Sequence, residues 1–308
     1  MSASGGTKAI IAALSANAGI AVTKFVAWGL TGSSSMLAEG VHSIADASNQ
    51  VLLLVGGKRA RREADPAHPF GYGRERYLYA FIVAIVLFSV GGLFALYEAY
   101  EKWAHPHGIE GRWWWVPLAV LVVAIVMEAF SLRTAIVESN LVRGTQSWWA
   151  FIRGAKAPEL PVILLEDIGA LVGLVLALGG VSATLITGDG RWDAVGTASI
   201  GVLLVVIAVI LAIETRSLLL GESATKEHIR AIEDALVGDG IVSVIHLRTL
   251  HTGPDDLLVA AKIEVAAVSS AAEVAEAINA AEARVRTAVP LATRIYLEPD
   301  LRRSVATD

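Results

Sequence analysis

Cysteine is absent from all 308 residues, which excludes disulfides and every thiolate metal site. Any metal must therefore be held by His, Asp, Glu, backbone oxygen or water. Charge is scarce as well. Only 18% of the residues are Asp, Glu, Lys or Arg against 55% hydrophobic, and the mean hydropathy is +0.58. A soluble chain of this length carries more charge, so the composition points to a multi-span membrane protein. The net charge of −5 is modest and says little, because positive charge is concentrated in particular loops, and no nucleic-acid partner is expected. No low-complexity linker and no short-period repeat is present. The sequence also lacks His-Glu-x-x-His, the helix motif of zinc proteases. Its first apolar run has no small-residue cleavage pattern, so it reads as a retained span rather than a signal peptide.

What is present is a set of long apolar runs. A bilayer core takes about 20 helical residues to cross, and six segments suffice: residues 9–30, 35–57, 77–103, 114–132, 160–187 and 194–219. Lys58, Arg59, Arg61, Arg62, Arg74 and Arg76 crowd the connection between spans two and three. Arg133, Arg143, Arg153 and Lys156 lie between spans four and five, and Arg216 closes span six. The other connections are short and carry few cations, so the positive-inside rule puts both termini in the cytoplasm. Trp113, Trp114 and Trp115 would mark the outer interface of span four.

Composition shifts after Gly221, giving an expected division into a transmembrane region, 1–221, and a cytoplasmic domain, 222–308. Thr225 to Val237 has helical spacing, with Ser223 or Thr225 as its cap. Ile241 to Leu250 and Leu257 to Val265 read as strands around a Gly253-Pro254-Asp255 turn. Ser270 to Val289 is an alanine-rich helix, and Arg294 to Leu297 a last strand. This αββαβ order predicts a small α+β sandwich of ferredoxin-like type. So small a domain gains from packing against a second copy.

Polar groups inside the apolar runs carry the chemistry. Glu39, His42 and Asp46 in span two share one helical face. Ionisable residues at such depth are costly and line cavities, ion paths or bundle interiors. An imidazole beside a carboxylate suits a borderline-soft divalent metal. Span five holds Glu166 and Asp167, which as helix neighbours point about 100° apart. Asp167 is the better metal candidate. Glu166 is a further ligand, a hydrogen-bond acceptor behind the site, or a partner for a cation such as Lys24. Asn49 and Gln50 suit helix–helix hydrogen bonds. Glu98 and Glu128 are placed near span ends and given no role. In the second connection Asp65 and His68 could catch a metal, although the surrounding Gly and Pro residues read first as turn chemistry. His105 and His107 in the outer loop could attract metal only weakly. His228, His246 and His251 read as surface histidines.

The run Ser34-x-x-Leu-Ala-Glu39-x-Val-His42-Ser-x-x-Asp46, followed by His68-Pro-Phe-Gly71-Tyr-Gly73-Arg74, resembles the cation diffusion facilitator family of zinc transporters. The resemblance covers nearly the whole chain. It implies a homodimer that exports Zn²⁺, with Cd²⁺, Mn²⁺, Fe²⁺ or Co²⁺ as alternative cargo, in exchange for protons. It implies no bound cofactor and no enzymatic activity, the metal being transported substrate. The family's transport site takes His/Asp-x-x-x-Asp from spans two and five. Here His42, Asp46 and Asp167 match, while Ile163 occupies the remaining position and cannot ligate. The Leu-Leu-Glu166-Asp167 form looks like a divergent subgroup in which Glu166 substitutes. Asp65 and His68 match part of an interfacial site in which Tyr72 replaces a second histidine. His246 matches one ligand of a dimer-interface cluster in which Lys262 occupies another position, so simple dimerisation is the expected role of that domain. A bacterial plasma (inner) membrane is the expected location. An intramembrane aspartyl-type hydrolase, with Asp46 and Asp167 as its dyad, is the competing class, but the signature contexts of such enzymes are missing.

Overall fold

The computed structural model describes residues 3–31, 34–106, 114–266 and 270–301, with side chains for all of these except 3–5, 31, 34–39, 41 and 42. His107, Trp113 and the side chains of Glu39 and His42 thus lie outside the described residues. The chain forms two compact units, Met1–Lys58 with Arg76–Arg216, and Arg59–Glu75 with Ser217–Asp308.

The first unit is helical. Helices α1 (Ala3–Thr31) and α2 (Ser34–Arg59) are followed by α3 (Glu75–Val86), which runs through a π-helical stretch, Leu87–Leu93, into α4 (Phe94–Ala104). Then come α5 (Val116–Arg143), the short α6 (Trp148–Gly154), α7 (Glu159–Thr187) and α8 (Arg191–Leu220). Among the described residues, five helical segments are long and apolar enough to cross a membrane: Gly6–Leu30, Glu75–Ala104, Val116–Arg143, Glu159–Thr187 and Arg191–Leu220. Helix α2 has 26 residues and is not among them; its described part carries Asp46 and the buried Asn49 and Gln50.

Ile10, Leu53, Val83, Leu87, Ile163, Leu164, Ile207 and Leu211 form the core of this unit. Outward, Val126, Phe130, Val175, Val202 and Val206 are exposed. An apolar surface of this kind suits lipid and would be a liability in water. Helices α7 and α8 touch backbone to backbone. A Cβ on Gly180 would sit 2.9 Å from the Trp192 carbonyl oxygen, and one on Gly196 would sit 3.1 Å from that of Leu176. A Cβ at Gly180 would push the two backbones apart, and one at Gly196 would be tight, as at other small-residue helix contacts within membranes. At the start of α7, Glu159 is 5% exposed and takes both an Nε and an Nη2 contact from Arg76 at the start of α3. Near the other end of the bundle, Lys102 reaches Glu98 at 3.1 Å and Asp193 at 3.0 Å.

Helix α5 corrects one expectation. The fourth span was expected to close at Leu132, with Arg133 in a connection, yet the helix continues to Arg143. Its buried residues Glu128, Ser131, Ala135 and Ser139 follow one another at three- and four-residue intervals. The inward stripe is therefore unbroken, and arginine is a good helix former.

In the second unit, α9 (Lys226–Leu236), β1 (Ile241–Gly253), β2 (Asp256–Val265), α10 (Ala271–Ala288) and β3 (Arg294–Asp300) follow the αββαβ order. The sheet order is β1-β2-β3, with β1 and β2 antiparallel and β2 and β3 parallel. A parallel pair requires a crossover, which α10 supplies. Thr225 caps α9, its Oγ1 accepting from the His228 amide at 3.3 Å. Ser270 and Glu273 form a reciprocal capping box on α10. Arg284 donates to the carbonyls of Ala235 at 2.9 Å and Leu236 at 3.3 Å, satisfying the open C-terminal end of α9. Ile232, Leu236, Leu257, Val259, Ile263, Ala281 and Val285 fill the core.

The connector 59–75 belongs to this second unit. A Cβ on Gly73 would lie 2.8 Å from the Thr252 carbonyl oxygen, and one on Gly253 would lie 2.8 Å from the Gly73 Cα. The connector therefore crosses the β1–β2 turn at a distance only glycine allows. The Arg294 guanidinium lies 5.7 Å from the centre of the Phe70 ring, a cation–π contact across the same junction.

Candidate functional site

Four helices of the first unit, α1, α2, α5 and α7, bring the buried polar groups together. Helix α7 supplies Glu166 and Asp167, at 6% and 1% exposure. From α2, Asn49 Nδ2 donates to Glu166 Oε1 at 2.8 Å and Gln50 Nε2 to Oε2 at 2.9 Å. Gln50 also accepts from Asn17 of α1 at 3.3 Å. Helix α5 contributes Ser131, whose Oγ donates to Asp167 Oδ2 at 2.8 Å, and Glu128 directly beside Asp167. Asn49 and Gln50 thus make the helix–helix hydrogen bonds expected of them. Glu166 is held by these two amides, one to each oxygen.

Glu128 is the residue that sequence reasoning misplaced. It lies near the middle of the 28-residue α5, is 2% exposed, and is within electrostatic range of Asp167, Glu166 and Asp46. The available signal was its three-residue spacing to Ser131, which puts both on one helical face. Asp46 is half-buried on α2, one turn before Asn49 and Gln50. His42 lies four residues before Asp46 on the same helix, and its side chain is outside the described residues. Among the described residues no three His, Asp or Glu side chains gather closely enough to hold a metal ion. Two buried acceptors are nonetheless without hydrogen-bond partners: Asp167 Oδ1 and Asn49 Oδ1. A buried acceptor that meets no donor is costly, and such atoms are the places where an ion or a proton is taken up. Ile163, fully buried, packs in the apolar core.

The weaker candidates sit in the second unit. Asp65 Oδ2 accepts from the Tyr72 hydroxyl at 2.6 Å, and Oδ1 accepts from the His68 amide at 2.7 Å. The His68 Nδ1 is 3.3 Å from the same Oδ1, and its ring lies 4.4 Å from that of Tyr72. The Tyr72 hydrogen bond, followed by that from the His68 amide, holds the Asp65 carboxyl below the usual aspartate range. His246 is exposed on β1, and its Nε2 accepts from Arg248 Nε at 2.7 Å. Lys262, paired with it across the sheet, reaches Glu298 at 3.0 Å and Asp300 at 3.1 Å. Those two carboxylates, Glu298 foremost, raise the lysine pKa and keep an ammonium at this position. His251 is buried on β1, where its amide donates to the Glu222 carbonyl at 2.9 Å, so the surface reading of that histidine does not hold. The β1 register turns its ring inward, next to the tight turn at Gly253.

Comparison with known proteins places this arrangement. Residues 10–220 match the family model described as the cation efflux transmembrane domain. Relatives include the mouse protein named "Proton-coupled zinc antiporter SLC30A9, mitochondrial", 32% identical over 242 residues, covering 78% of this chain and 42% of that protein. Metal tolerance protein C4 of Arabidopsis thaliana is 28% identical over 267 residues, covering 83% of this chain and 56% of the relative. Zinc transporter ZitB of Pectobacterium atrosepticum is 27% identical over 191 residues, covering 61% and 52%. The chain thus spans less than half the length of the first of these relatives. It is an integral membrane protein, and it belongs to the cation efflux family, the cation diffusion facilitators.

Proposed function

We propose that this protein carries Zn²⁺ across a membrane in exchange for protons, with His42, Asp46 and Asp167 as metal ligands. The observation that carries the reading is Asp167 Oδ1, an ionisable oxygen buried in a membrane helix with no hydrogen-bond partner. It sits where Asn49 and Gln50 fasten α2, the helix of His42 and Asp46, to α7. Zinc suits a mixed imidazole and carboxylate set, and its ligands must be deprotonated to bind. Metal and protons therefore compete for the same atoms. Alternating exposure of one such site to the two sides of the membrane yields exchange. The mouse relative's name, a proton-coupled zinc antiporter, supports both cargo and coupling. Transport, rather than intramembrane hydrolysis, is the activity in this reading.

In the same reading α2 is span two and completes a set of six, residues 1–221 form the transport region, and residues 222–308 form a cytoplasmic domain that pairs two copies as a homodimer. Loop charge favours cytoplasmic termini, and an Ala-, Val- and Arg-rich composition favours a bacterial inner membrane. Asp65, His68 and His246 are read as structural, since each already engages a neighbour within the second unit. The deciding test is Zn²⁺-driven proton flux in proteoliposomes. Asp46→Ala and Asp167→Ala should each abolish it. Normal exchange by both variants would remove these residues from the site.

A further inference from the structure

We propose that α6 and the end of α5 form a binding site for an anionic phospholipid headgroup, with the Arg143 guanidinium on the lipid phosphate and Trp148 and Trp149 at the edge of the acyl region. The inference goes beyond metal transport and does not depend on which ion is carried.

Helix lengths set the depth of α6. Helix α5 has 28 residues and α7 has 29, which at the rise of an α-helix makes each about 42 Å long. The hydrocarbon core is about 30 Å thick, so a centred helix overruns it by about 6 Å at either end, into the headgroup layer. Helix α6 joins the last turn of α5 to the first turn of α7 and lies in that layer. Its Phe151 and Ile152 are buried, and Phe151 belongs to the same core as Leu160 of α7. Trp148 and Trp149 remain exposed, the second at 55%, as do Leu141 and Val142 at the end of α5. Tryptophan joins an apolar ring to a polar N–H and collects at membrane interfaces. Four large apolar side chains left bare suit a lipid surface better than water.

Charge selects the headgroup. Residues 139–158 contain Arg143, Arg153 and Lys156 and no Asp or Glu. Arg153 is already paired, its Nε meeting Glu214 Oε1 of α8 at 3.2 Å. Arg143 instead bonds neutral oxygens, which leave its charge intact. Its Nε and Nη2 donate to Asn140 Oδ1 at 3.0 Å and 2.8 Å, and its Nη1 donates to the Gln146 carbonyl. These bonds hold the guanidinium over the Trp148 ring, 4.3 Å from its centre. They use three of the five N–H donors of arginine and leave one on each Nη. A phosphate accepts charge-assisted bonds from that planar fork. The local excess of cations favours a headgroup of net negative charge over a zwitterionic one.

The absence of cysteine supplies the test. Thr145 is exposed in the turn between α5 and α6, and Thr145→Cys in the full-length protein carries an environment-sensitive fluorophore. Phosphatidylglycerol, phosphatidylcholine and inorganic phosphate are each titrated into this protein in nonionic detergent. Phosphatidylglycerol should shift the emission at a lower mole fraction than phosphatidylcholine, and inorganic phosphate should leave it unchanged. Adding Arg143→Gln should weaken phosphatidylglycerol about fivefold, the effect of removing one interfacial cation, and narrow its lead over phosphatidylcholine. An equal response to the two lipids, no response to either, or an unchanged phosphatidylglycerol curve in Arg143→Gln overturns the proposal. A response to inorganic phosphate as strong as that to the lipid makes this a free-anion site and overturns it as well. If Arg143→Gln does not fold, Trp149→Ser decides alone, because it leaves Arg143 and its hydrogen bonds in place. Weaker phosphatidylglycerol binding in that variant supports the lipid site, and the parent's curve overturns it.

Discussion

Asn49 Nδ2 donates to Glu166 Oε1 at 2.8 Å, across the contact between α2 and α7. Gln50 takes the second oxygen, so two consecutive residues of one helix clasp a single carboxylate of another. Neighbouring helix positions diverge by about 100°, yet the two amides meet the same carboxylate. The clasp fixes the distance between the helix bearing His42 and Asp46 and the helix bearing Asp167. Asn49→Leu removes a donor to a buried carboxylate and should cost about 2 kcal/mol. Thermal unfolding in detergent, followed by tryptophan fluorescence, reads the loss. An unchanged midpoint would mean that the contact contributes nothing to holding α2 against α7.

His42→Asp replaces an imidazole with a hard oxygen ligand while keeping the helical spacing to Asp46. Oxygen-only sites favour Mn²⁺ over Zn²⁺ relative to sites with imidazole. The variant should therefore shift the ratio of Zn²⁺ to Mn²⁺ transport towards Mn²⁺ in proteoliposomes. A ratio equal to that of the parent protein would place His42 outside the metal's coordination.

The sequence made the C-terminal elements legible because their signals are local. Thr225 caps α9 as a side-chain acceptor should, and Gly253-Pro254-Asp255 bounds the hairpin between β1 and β2. The hydrophobic runs gave the long helices for the same reason. Glu128 is not legible in the sequence, because Arg133 five residues later reads as lying beyond the end of the span. A charged residue marks the limit of lipid only when its helix stops there, and α5 continues for ten residues beyond it. Ser131 went unnoticed because a single serine in an apolar run carries no pattern. Its role appears only when Asp167 is set against it. The connector's packing against the β1–β2 turn was equally invisible, since the contact between Gly73 and Gly253 joins positions far apart in the chain.

The ion pair of Arg76 and Glu159 offers a second stability test. Glu159 is 5% exposed and meets the guanidinium at two points, including Nη2 at 2.9 Å. Glu159→Ala removes this carboxylate from the partly buried Arg76 guanidinium, which should cost about 2 kcal/mol. The double variant Arg76→Leu with Glu159→Leu removes both charges and should recover much of that loss. Chemical denaturation of the three proteins separates the outcomes. If the single and double variants are equally unstable, packing rather than charge accounts for the effect.

The connector carries its own pH response. Asp65 is held below the usual aspartate range, first by the Tyr72 hydroxyl and then by the His68 amide. Its pKa is lower in the folded connector than in the unfolded chain. The stability it adds is therefore present above the ordinary aspartate value and is lost as pH falls through the depressed one. Tyr72 is raised in turn, mainly by that same hydrogen bond to Asp65. Its contribution is present below the ordinary tyrosine value and disappears as pH rises through the elevated one. Tyr72→Phe deletes the largest cause of the Asp65 shift while keeping the ring over which Arg62 lies at 4.3 Å. The Asp65 pKa should move up towards the ordinary value, and the acid limit of the connector's folded form should move up with it. Carboxyl carbon NMR of aspartate-labelled protein, with Asp65→Asn to assign the signal, measures the change. An Asp65 pKa unmoved by Tyr72→Phe would assign the depression to the His68 amide instead, because the geometry leaves no other hydrogen bond of comparable length.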